Sequence, residues 1–158
     1  EPPANLQVEL TQYFSLMDGL KDYVAICYEG TTDNNKKNLS IEHMKSICNL
    51  LVKNNLKPLF FQKPFGTFEY FNGSFFDSIK HMLSCKFLLT IDSAMCWIAS
   101  GYSFPVLGLY NQNYYASFNA HTSVNWQPKN KNAIYIEDTN VNNIPLEKIH
   151  EGIKKINE

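Results

Sequence analysis

Short apolar runs alternate with stretches of helical periodicity from residue 23 to the end of the chain. The runs are too short for helices and are rich in β-branched and aromatic residues, which predicts buried strands. The predicted strands span residues 23–28, 57–62, 87–91, 106–110 and 133–137.

Apolar residues between these strands recur at three- and four-residue spacing, the period of an α-helix that buries one face. Ser40 and Ser74 stand at the N-cap positions of the first two predicted helices. The apolar positions are Ile41, Met44, Ile47, Cys48 and Leu51 in the first helix, Phe75, Ile79, Met82 and Leu83 in the second, and Leu146, Ile149, Ile153 and Ile156 in the last. A short helix is predicted from Ser93, and residues 111–132 are predicted to form a long polar and aromatic loop.

Strands that alternate with helices predict an α/β fold, a Rossmann-like parallel sheet with helices on both faces. We expect residues 23–158 to form one domain, preceded by a linker or N-terminal helical extension over residues 1–22. A length of 158 residues suits one domain with a substantial core.

Composition excludes several classes of protein. Hydrophobic residues make up 44% of the chain, too many for a disordered protein, and a formal net charge of -1 gives no basic surface for nucleic acid. No apolar stretch approaches the ~20 residues of a transmembrane helix, so we expect a soluble, cytoplasmic protein. Cys27, Cys48, Cys85 and Cys96 lack metal-ligand spacing, as do the four histidines, which favours buried thiols over a disulfide framework or a metal site.

Asp92 and Ser93 directly follow the most apolar predicted strand and carry side chains that can start a helix. The backbone N–H groups of a helix's first turn have no partner inside the helix, and in a parallel sheet they point to the crevice where phosphates bind. Ser93, Ala94 and Met95 would offer these N–H groups. Asp92 has two compatible roles, since it can cap the helix or orient a ligand hydroxyl and the Ser93 side chain.

A second polar loop follows the first predicted strand. Thr31 and Thr32 would supply hydroxyl and backbone donors for a phosphate, and Lys37 would supply a cation, with Lys36 as the close alternative. The simpler interpretation of these residues is a solvated loop with ordinary turn chemistry. Both polar loops follow strands at their carboxyl ends, so we expect Thr31, Lys37 and Asp92 to gather at one edge of the sheet.

Two segments resemble glycosyltransferase family 9, the lipopolysaccharide heptosyltransferases and their relatives. The run from Asp92-Ser93 to Ile98-Ala99, followed by Pro105 and a strand, resembles the family's Asp-Ser/Thr-Gly-x-x-His-Leu-Ala segment. The loop Glu29-Gly30-Thr31-Thr32, followed by Lys37-Asn38-Leu39-Ser40, resembles the family's Thr-Thr loop and Lys-x-Trp-Pro signature.

The resemblance implies the C-terminal half of a GT-B fold, which holds the nucleotide sugar, ADP-heptose or a related one. It implies inverting transfer of heptose or a related sugar to a glycan or lipopolysaccharide-type acceptor, without a metal or other cofactor. An N-terminal acceptor-binding domain would supply the general base, so no catalytic residue is assigned here and the fragment alone is expected to be inactive. The resemblance also leaves open peripheral membrane association of the full enzyme.

The sequence departs from the family's pattern at several positions. The family's Gly after Asp-Ser is Ala94 here, its His is Trp97, and the Gly that ends the next strand is Asn111. The segment 63–73 is shorter than the family's usual insertion, which carries an acidic residue for the ribose, and Glu69 is the local candidate for a ribose or base contact. Two alternatives therefore stay open: a degenerate, non-catalytic Rossmann-like binding module, or another GT-B enzyme such as a nucleotide-sugar epimerase.

Overall fold

The computed structural model describes residues 19–30, 37–61, 64, 66, 68–116, 118–120 and 122–158. Its strands are β1 (Tyr23–Cys27), β2 (Lys57–Phe60), β3 (Phe87–Ile91), β4 (Val106–Asn111) and β5 (Ala133–Asp138). Its helices are α1 (Ile41–Lys53), α2 (Phe75–Ser84), α3 (Ala94–Gly101), α4 (Gln112–Ala116) and α5 (Leu146–Ile156), with 3-10 turns at Val124–Trp126 and Val141–Asn143. Most of the extension predicted over residues 1–22 lies outside the described residues.

The five strands form one parallel sheet in the order β2-β1-β3-β4-β5. The central strand β3 is buried along its whole length, as expected for a parallel strand covered on both faces. Buried residues of α1 and α5 pack on one face of the sheet, and those of α2 and α3 pack on the other. The predicted α/β fold with helices on both faces is confirmed.

The strand order also fixes where the sheet opens. The chain leaves β1 toward β2 on one side and leaves β3 toward β4 on the other side. Neighbouring parallel strands whose connections diverge in this way leave a crevice at their carboxyl ends, and ligands of open α/β sheets bind in such crevices. The residues that follow β1 and β3 therefore line the natural site of the fold.

Several sequence predictions need correction. Phe75 was predicted on the buried face of α2 but is 59% exposed, whereas Met82 and Leu83 are buried. Ile41 and Leu146, predicted on the apolar faces of α1 and α5, are also exposed, at 47% and 37%. Phe75 has helical spacing with the buried residues, but it lies in the first turn of α2, where its ring faces the cavity described below. The segment 111–132 was predicted to be a loop, but β4 continues to Asn111 and α4 follows it directly.

Candidate functional site

The crevice at the carboxyl ends of β1 and β3 holds a cavity of about 600 Å³. Its described lining combines charged or polar residues with apolar and aromatic ones. The first group includes Glu29, Lys37, Asp92 and Ser93, and the second includes Phe61, Phe75, Met95 and Trp97. A cavity of this composition suits a ligand that has both a charged part and an apolar or aromatic part.

Lys37 reaches the cavity from a loop that is tied to β1. The N–H of Leu39 donates to the carbonyl of Tyr28 at 3.0 Å, just beyond the end of β1. The N–H of Gly30 donates to Oδ1 of Asn38 at 2.7 Å, which closes the turn on itself. The described part of this loop is therefore positioned by the sheet.

Hydrogen bonds from the residues after the edge strand β5 hold the same loop. Asn142, in the 3-10 turn after β5, accepts from the N–H of Ser40 at 2.7 Å and donates to the carbonyl of Asn38 at 3.2 Å. Ser40 caps α1 as predicted, with its Oγ accepting from the N–H of His43 at 3.1 Å. These bonds fix the backbone immediately after Lys37.

The ammonium of Lys37 is paired with the carboxylate of Asp92. Nζ lies 3.4 Å from Oδ2, and the two side chains are only 15% and 11% exposed. Nζ also lies 4.9 Å from the ring centroid of Tyr114, within the range of a cation–π contact. The predicted juxtaposition of Lys37 and Asp92 is confirmed, while their roles toward a ligand stay a prediction.

Tyr115 makes a second contact with the same carboxylate oxygen. Its hydroxyl donates to Oδ2 of Asp92 at 2.5 Å, and its side chain is fully buried. Burial, followed by the hydrogen bond to Asp92, raises the pKa of Tyr115 well above its usual range. The hydroxyl therefore stays protonated and acts as a donor at any physiological pH.

The first turn of α3 opens on the cavity. Ser93 is its N-cap, with Oγ accepting from the N–H of Cys96 at 3.3 Å and lying 2.8 Å from Oγ1 of Thr90. The N–H groups of Ala94 and Met95 have no acceptor within the helix, because no helical carbonyl precedes them. Ser93, and not Asp92, caps the helix, and the carboxylate of Asp92 instead accepts from Lys37 and Tyr115. The other role expected of Asp92, to orient a ligand hydroxyl and the Ser93 side chain, stays a prediction.

A partly buried carboxylate on β5 holds α4 and the segment after it in place. Glu137 accepts from Nε2 of Gln112 at 2.9 Å, from the Thr122 hydroxyl at 2.8 Å, and from both the N–H and the hydroxyl of Ser123. Burial opposes its ionisation, but the hydrogen bonds from Ser123, Gln112 and Thr122 prevail and lower the pKa of this carboxyl to about 2. The N–H of Asn113 also donates to the carbonyl of Thr139 at 3.0 Å.

Two of the positions that depart from the family's pattern lie on the rim of the cavity. Ala94 is exposed in the first turn of α3, and the indole of Trp97 is 51% exposed one turn later. Trp97 also lines a second cavity of about 690 Å³, together with Val124, Pro128 and Tyr135. The indole therefore stands on the boundary between the two cavities.

Thr31, Thr32 and Glu69 are the remaining predicted site residues. Thr31 and Thr32 fall outside the described residues, so their contact with a phosphate stays a prediction. Glu69 is described, but its carboxylate accepts from the hydroxyl of Tyr23 at 2.9 and 3.0 Å. Glu69 is not among the described residues that line the cavity.

Among the described residues, the sequence analysis did not assign Tyr114, Tyr115, Phe61 and Phe75 to this site. Tyr114 and Tyr115 come directly after β4, the neighbour of β3, so the rule that joined Lys37 to Asp92 also applies to them. Phe61 follows β2 at the same edge of the sheet, and Phe75 lies one loop further along the chain. The position of each tyrosine and of Phe61 after a strand was the available signal.

Two other findings concern the described part of the chain. Its His, Cys, Asp and Glu residues form no group of three or more that could hold a metal ion. Among the same residues, no helix is long and apolar enough to cross a membrane.

No protein-family model matches the sequence, and no curated protein matches it either. Several solved structures resemble the fold. The structure of Escherichia coli heptosyltransferase WaaC with ADP superimposes with a TM-score of 0.72 at 14% identity, over 93% of this chain and 48% of that one. E. coli ADP-heptose lipopolysaccharide heptosyltransferase II has a TM-score of 0.68 at 15% identity, over 99% and 52% of the two chains.

A glycosyltransferase of family 9 from Veillonella parvula has a TM-score of 0.65 at 14% identity, over 99% of this chain and 52% of that one. All three proteins belong to the family, or to the kind of enzyme, that the two sequence motifs resemble. At identities this low, the comparison shows similarity of fold alone. This chain spans about half the length of each of the three proteins. The chain thus has the fold of about half of a family 9 heptosyltransferase.

Proposed function

We propose that this chain binds the nucleoside diphosphate sugar that a glycosyltransferase uses as its substrate. The observation that carries the proposal is the pairing of Lys37 with Asp92 at 3.4 Å in the crevice between β1 and β3. This crevice is where open α/β sheets bind ligands, and the first turn of α3 adds backbone donors beside the cation.

In this proposal the diphosphate lies between Lys37 and the N–H groups of Ala94 and Met95. Transfer of the sugar leaves negative charge on the departing nucleoside diphosphate, and a cation and oriented N–H groups stabilise that charge. Lys37 supplies the positive charge, so no metal or other cofactor is assigned. Thr31 and Thr32 are proposed to add hydroxyl and backbone donors to the same phosphates.

The ammonium of Lys37 has to turn from Asp92 toward the phosphate when the ligand enters. The exchange is feasible because Oδ2 of Asp92 keeps the hydrogen bond from Tyr115. The attraction of the free site for an anion is nonetheless reduced by the neighbouring carboxylate. We therefore expect weak binding, with the diphosphate supplying most of the affinity.

The aromatic residues of the cavity suit the base of the nucleotide. Phe75, which is 59% exposed, and Phe61 both line the cavity. Aromatic rings stack on nucleobases with little regard to their identity. Glu69 accepts from Tyr23 and is not among the described residues that line the cavity, so a contact of Glu69 with the ribose or base requires the ligand to extend beyond this lining.

The finer assignment extends the proposal. Two of the similar structures are of E. coli heptosyltransferase WaaC, one with ADP and one with ADP-2-deoxy-2-fluoro heptose. We extend this to ADP-heptose or a related nucleotide sugar here, with a glycan or lipopolysaccharide-type acceptor and transfer by inversion in the cytoplasm. Residues 23–158 act as the nucleotide-sugar domain, an acceptor-binding domain supplies the base, and this chain by itself is inactive.

A second candidate function is a binding module without catalysis. Two observations favour it, the Cβ of Ala94 at the first turn of α3 and the half-exposed indole of Trp97 on the rim. Both side chains add bulk where the family has Gly and His. If they block the diphosphate, the double variant Ala94→Gly with Trp97→His should bind a nucleotide that the wild-type chain does not bind.

Calorimetric titration tests the proposal. ADP, UDP and GDP are compared with adenosine, which lacks the phosphates but keeps the base and ribose. We expect saturable binding of at least one diphosphate and much weaker binding of adenosine. Equal binding of ADP and adenosine would contradict the assignment of a phosphate site, and no heat with any nucleotide at millimolar concentration would favour the non-catalytic module.

A further inference from the structure

The segment after β4 brings two tyrosines into contact with Asp92 and Lys37. β4 pairs with β3 in parallel, with Ile91 opposite Leu109, so the chain beyond β4 emerges beside Asp92. Helix α4 begins there without an intervening loop and carries Tyr114 and Tyr115. Neither tyrosine belongs to the motifs that suggested the function.

The ring of Tyr115 is held on several sides. It meets Tyr114 edge-on at 5.0 Å between centroids, Trp126 at 4.5 Å and Tyr110 at 6.5 Å. The helix that carries it is anchored to β5 by the bond from Gln112 to Glu137, and to the residue after β5 by the bond from Asn113 to Thr139. The packing of the ring and the anchoring of α4 therefore fix the position of the Tyr115 hydroxyl relative to Asp92.

Two donors converge on one oxygen of Asp92. The hydroxyl of Tyr115 is the closer, at 2.5 Å, and the ammonium of Lys37 lies at 3.4 Å. A donor in a fixed position holds the carboxylate in one orientation. The longer contact leaves Lys37 beside Asp92 and 4.9 Å from the ring centroid of Tyr114, still able to turn toward an anion.

We infer that Tyr115 is a positioning residue for the nucleotide site, an inference that rests on the proposed function. Its buried hydroxyl orients Asp92, and Asp92 with the Tyr114 ring places the ammonium of Lys37 where a diphosphate binds. Tyr115 itself does not line the cavity among the described residues. Its effect on binding therefore passes through Lys37.

The variant Tyr115→Phe removes the hydroxyl and keeps the ring. Tyr135→Phe is the matched control, because its hydroxyl makes a 2.6 Å bond to the carbonyl of Pro128, away from the nucleotide cavity. We expect Tyr115→Phe to weaken ADP binding by about two- to tenfold, the usual range for one hydrogen bond, and to leave adenosine binding unchanged. Tyr135→Phe should leave both unchanged.

A double-mutant cycle separates positioning from a general loss of structure. In a Lys37→Ala background, Tyr115→Phe should cause no further loss of ADP affinity, because the group that it positions is gone. The same loss in both backgrounds would overturn the inference. Unchanged ADP affinity of Tyr115→Phe in the wild-type background would overturn it too.

A measurement without any nucleotide distinguishes this inference from the proposed function. The side chain of Lys37 lies against the Tyr114 ring, so ring currents shift the NMR resonance of its ε-methylene protons. Tyr115→Phe should move this resonance toward that of exposed lysines, whereas Tyr135→Phe should not. An unmoved resonance would overturn only the inference that Tyr115 positions Lys37, and would leave the proposed function intact. Failure of the wild-type chain to bind any nucleoside diphosphate would overturn both the proposed function and this role of Tyr115.

Discussion

Nζ of Lys37 lies 3.4 Å from Oδ2 of Asp92, although 55 positions separate the two residues in the sequence. They meet because β1 and β3 are neighbouring parallel strands, whose carboxyl ends lie at the same edge of the sheet. Both side chains are largely shielded from water, which strengthens the interaction of either charge with a third one. We propose that this pair marks the binding place of a diphosphate.

The first prediction concerns the stability of the fold at low pH. The pKa of Glu137 is lowered to about 2 from an ordinary value of 4.5. A carboxyl group whose pKa is lowered by folding stabilises the fold fully at a pH above its pKa in the unfolded chain. That contribution is lost as the pH falls from about 4.5 through 2. We expect urea denaturation to show the free energy of unfolding decreasing over this interval.

The variant Glu137→Gln assigns that change to its source. It should be less stable than the wild-type chain at pH 7, because Gln112, Thr122 and Ser123 lose a charged acceptor. The difference between the two proteins should shrink as the pH is lowered toward 2. A difference that stays constant across this range would show that Glu137 does not titrate as described.

The order of strands and helices could be predicted from the sequence because local signals agree with the fold. The apolar run 87–91 predicted β3 with its exact bounds, since Lys86 and Asp92 limit it on both sides. The caps Ser40 and Ser74 were predicted correctly for the same reason. The strands and the helix caps can therefore be predicted without knowledge of contacts between distant residues.

The site was only partly predictable, because its details depend on distant contacts. Asp92 and Ser93 both carry side chains that can cap a helix. Asp92 does not cap α3 because its carboxylate is bound by Lys37 and Tyr115, two residues that are distant in the sequence. Tyr115 stands in a segment rich in asparagine and glutamine with no helical periodicity, so it was assigned to a loop. Phe75 has helical spacing, and no local pattern reveals that its turn faces the cavity.

The second prediction concerns the reactivity of the cysteines. Burial raises the pKa of Cys27, Cys48 and Cys85 to about 12 and that of Cys96 to about 11. The thiolate is the reactive form, so native protein at pH 8 should react slowly with a disulfide reagent such as DTNB. Four thiols should react rapidly once the chain is unfolded in urea.

Cys27 offers an internal check on the location of the cavity. It is the one partly exposed cysteine among the four, and it lines the cavity with Lys37 and Asp92. We expect it to be the first thiol modified in the native protein, and bound ADP to slow its modification. Modification of Cys48 or Cys85 before Cys27 would contradict the described packing.

The third prediction tests the packing of β4. A Cβ at Gly108 would lie 2.7 Å from Cδ1 of Tyr135 and 3.0 Å from Cε2 of Tyr110, too close for either ring to stay in place. We expect Gly108→Ala to lower the free energy of unfolding by about 1–3 kcal/mol, as overpacking of a core does. Urea denaturation measures this loss.

Gly101 provides the control for that substitution. It lies in α3, and a Cβ there would meet no atom within 4 Å. Gly101→Ala should therefore be neutral, or stabilise the fold by up to about 1 kcal/mol through the higher helix propensity of alanine. Equal destabilisation by both variants would show that the Tyr135 and Tyr110 rings are not the cause.

The central claim is tested most directly by titrating ADP into three proteins, the wild-type chain, Lys37→Ala and Lys36→Ala. Removing a charge-assisted contact to phosphate costs roughly 1.5–3 kcal/mol, so Lys37→Ala should bind ADP about ten- to a hundredfold more weakly. Lys36→Ala keeps Lys37 beside Asp92 and should bind ADP as the wild-type chain does. Unchanged ADP affinity in Lys37→Ala, or an equal loss in both variants, would contradict the assignment of Lys37 as the cation of the phosphate site.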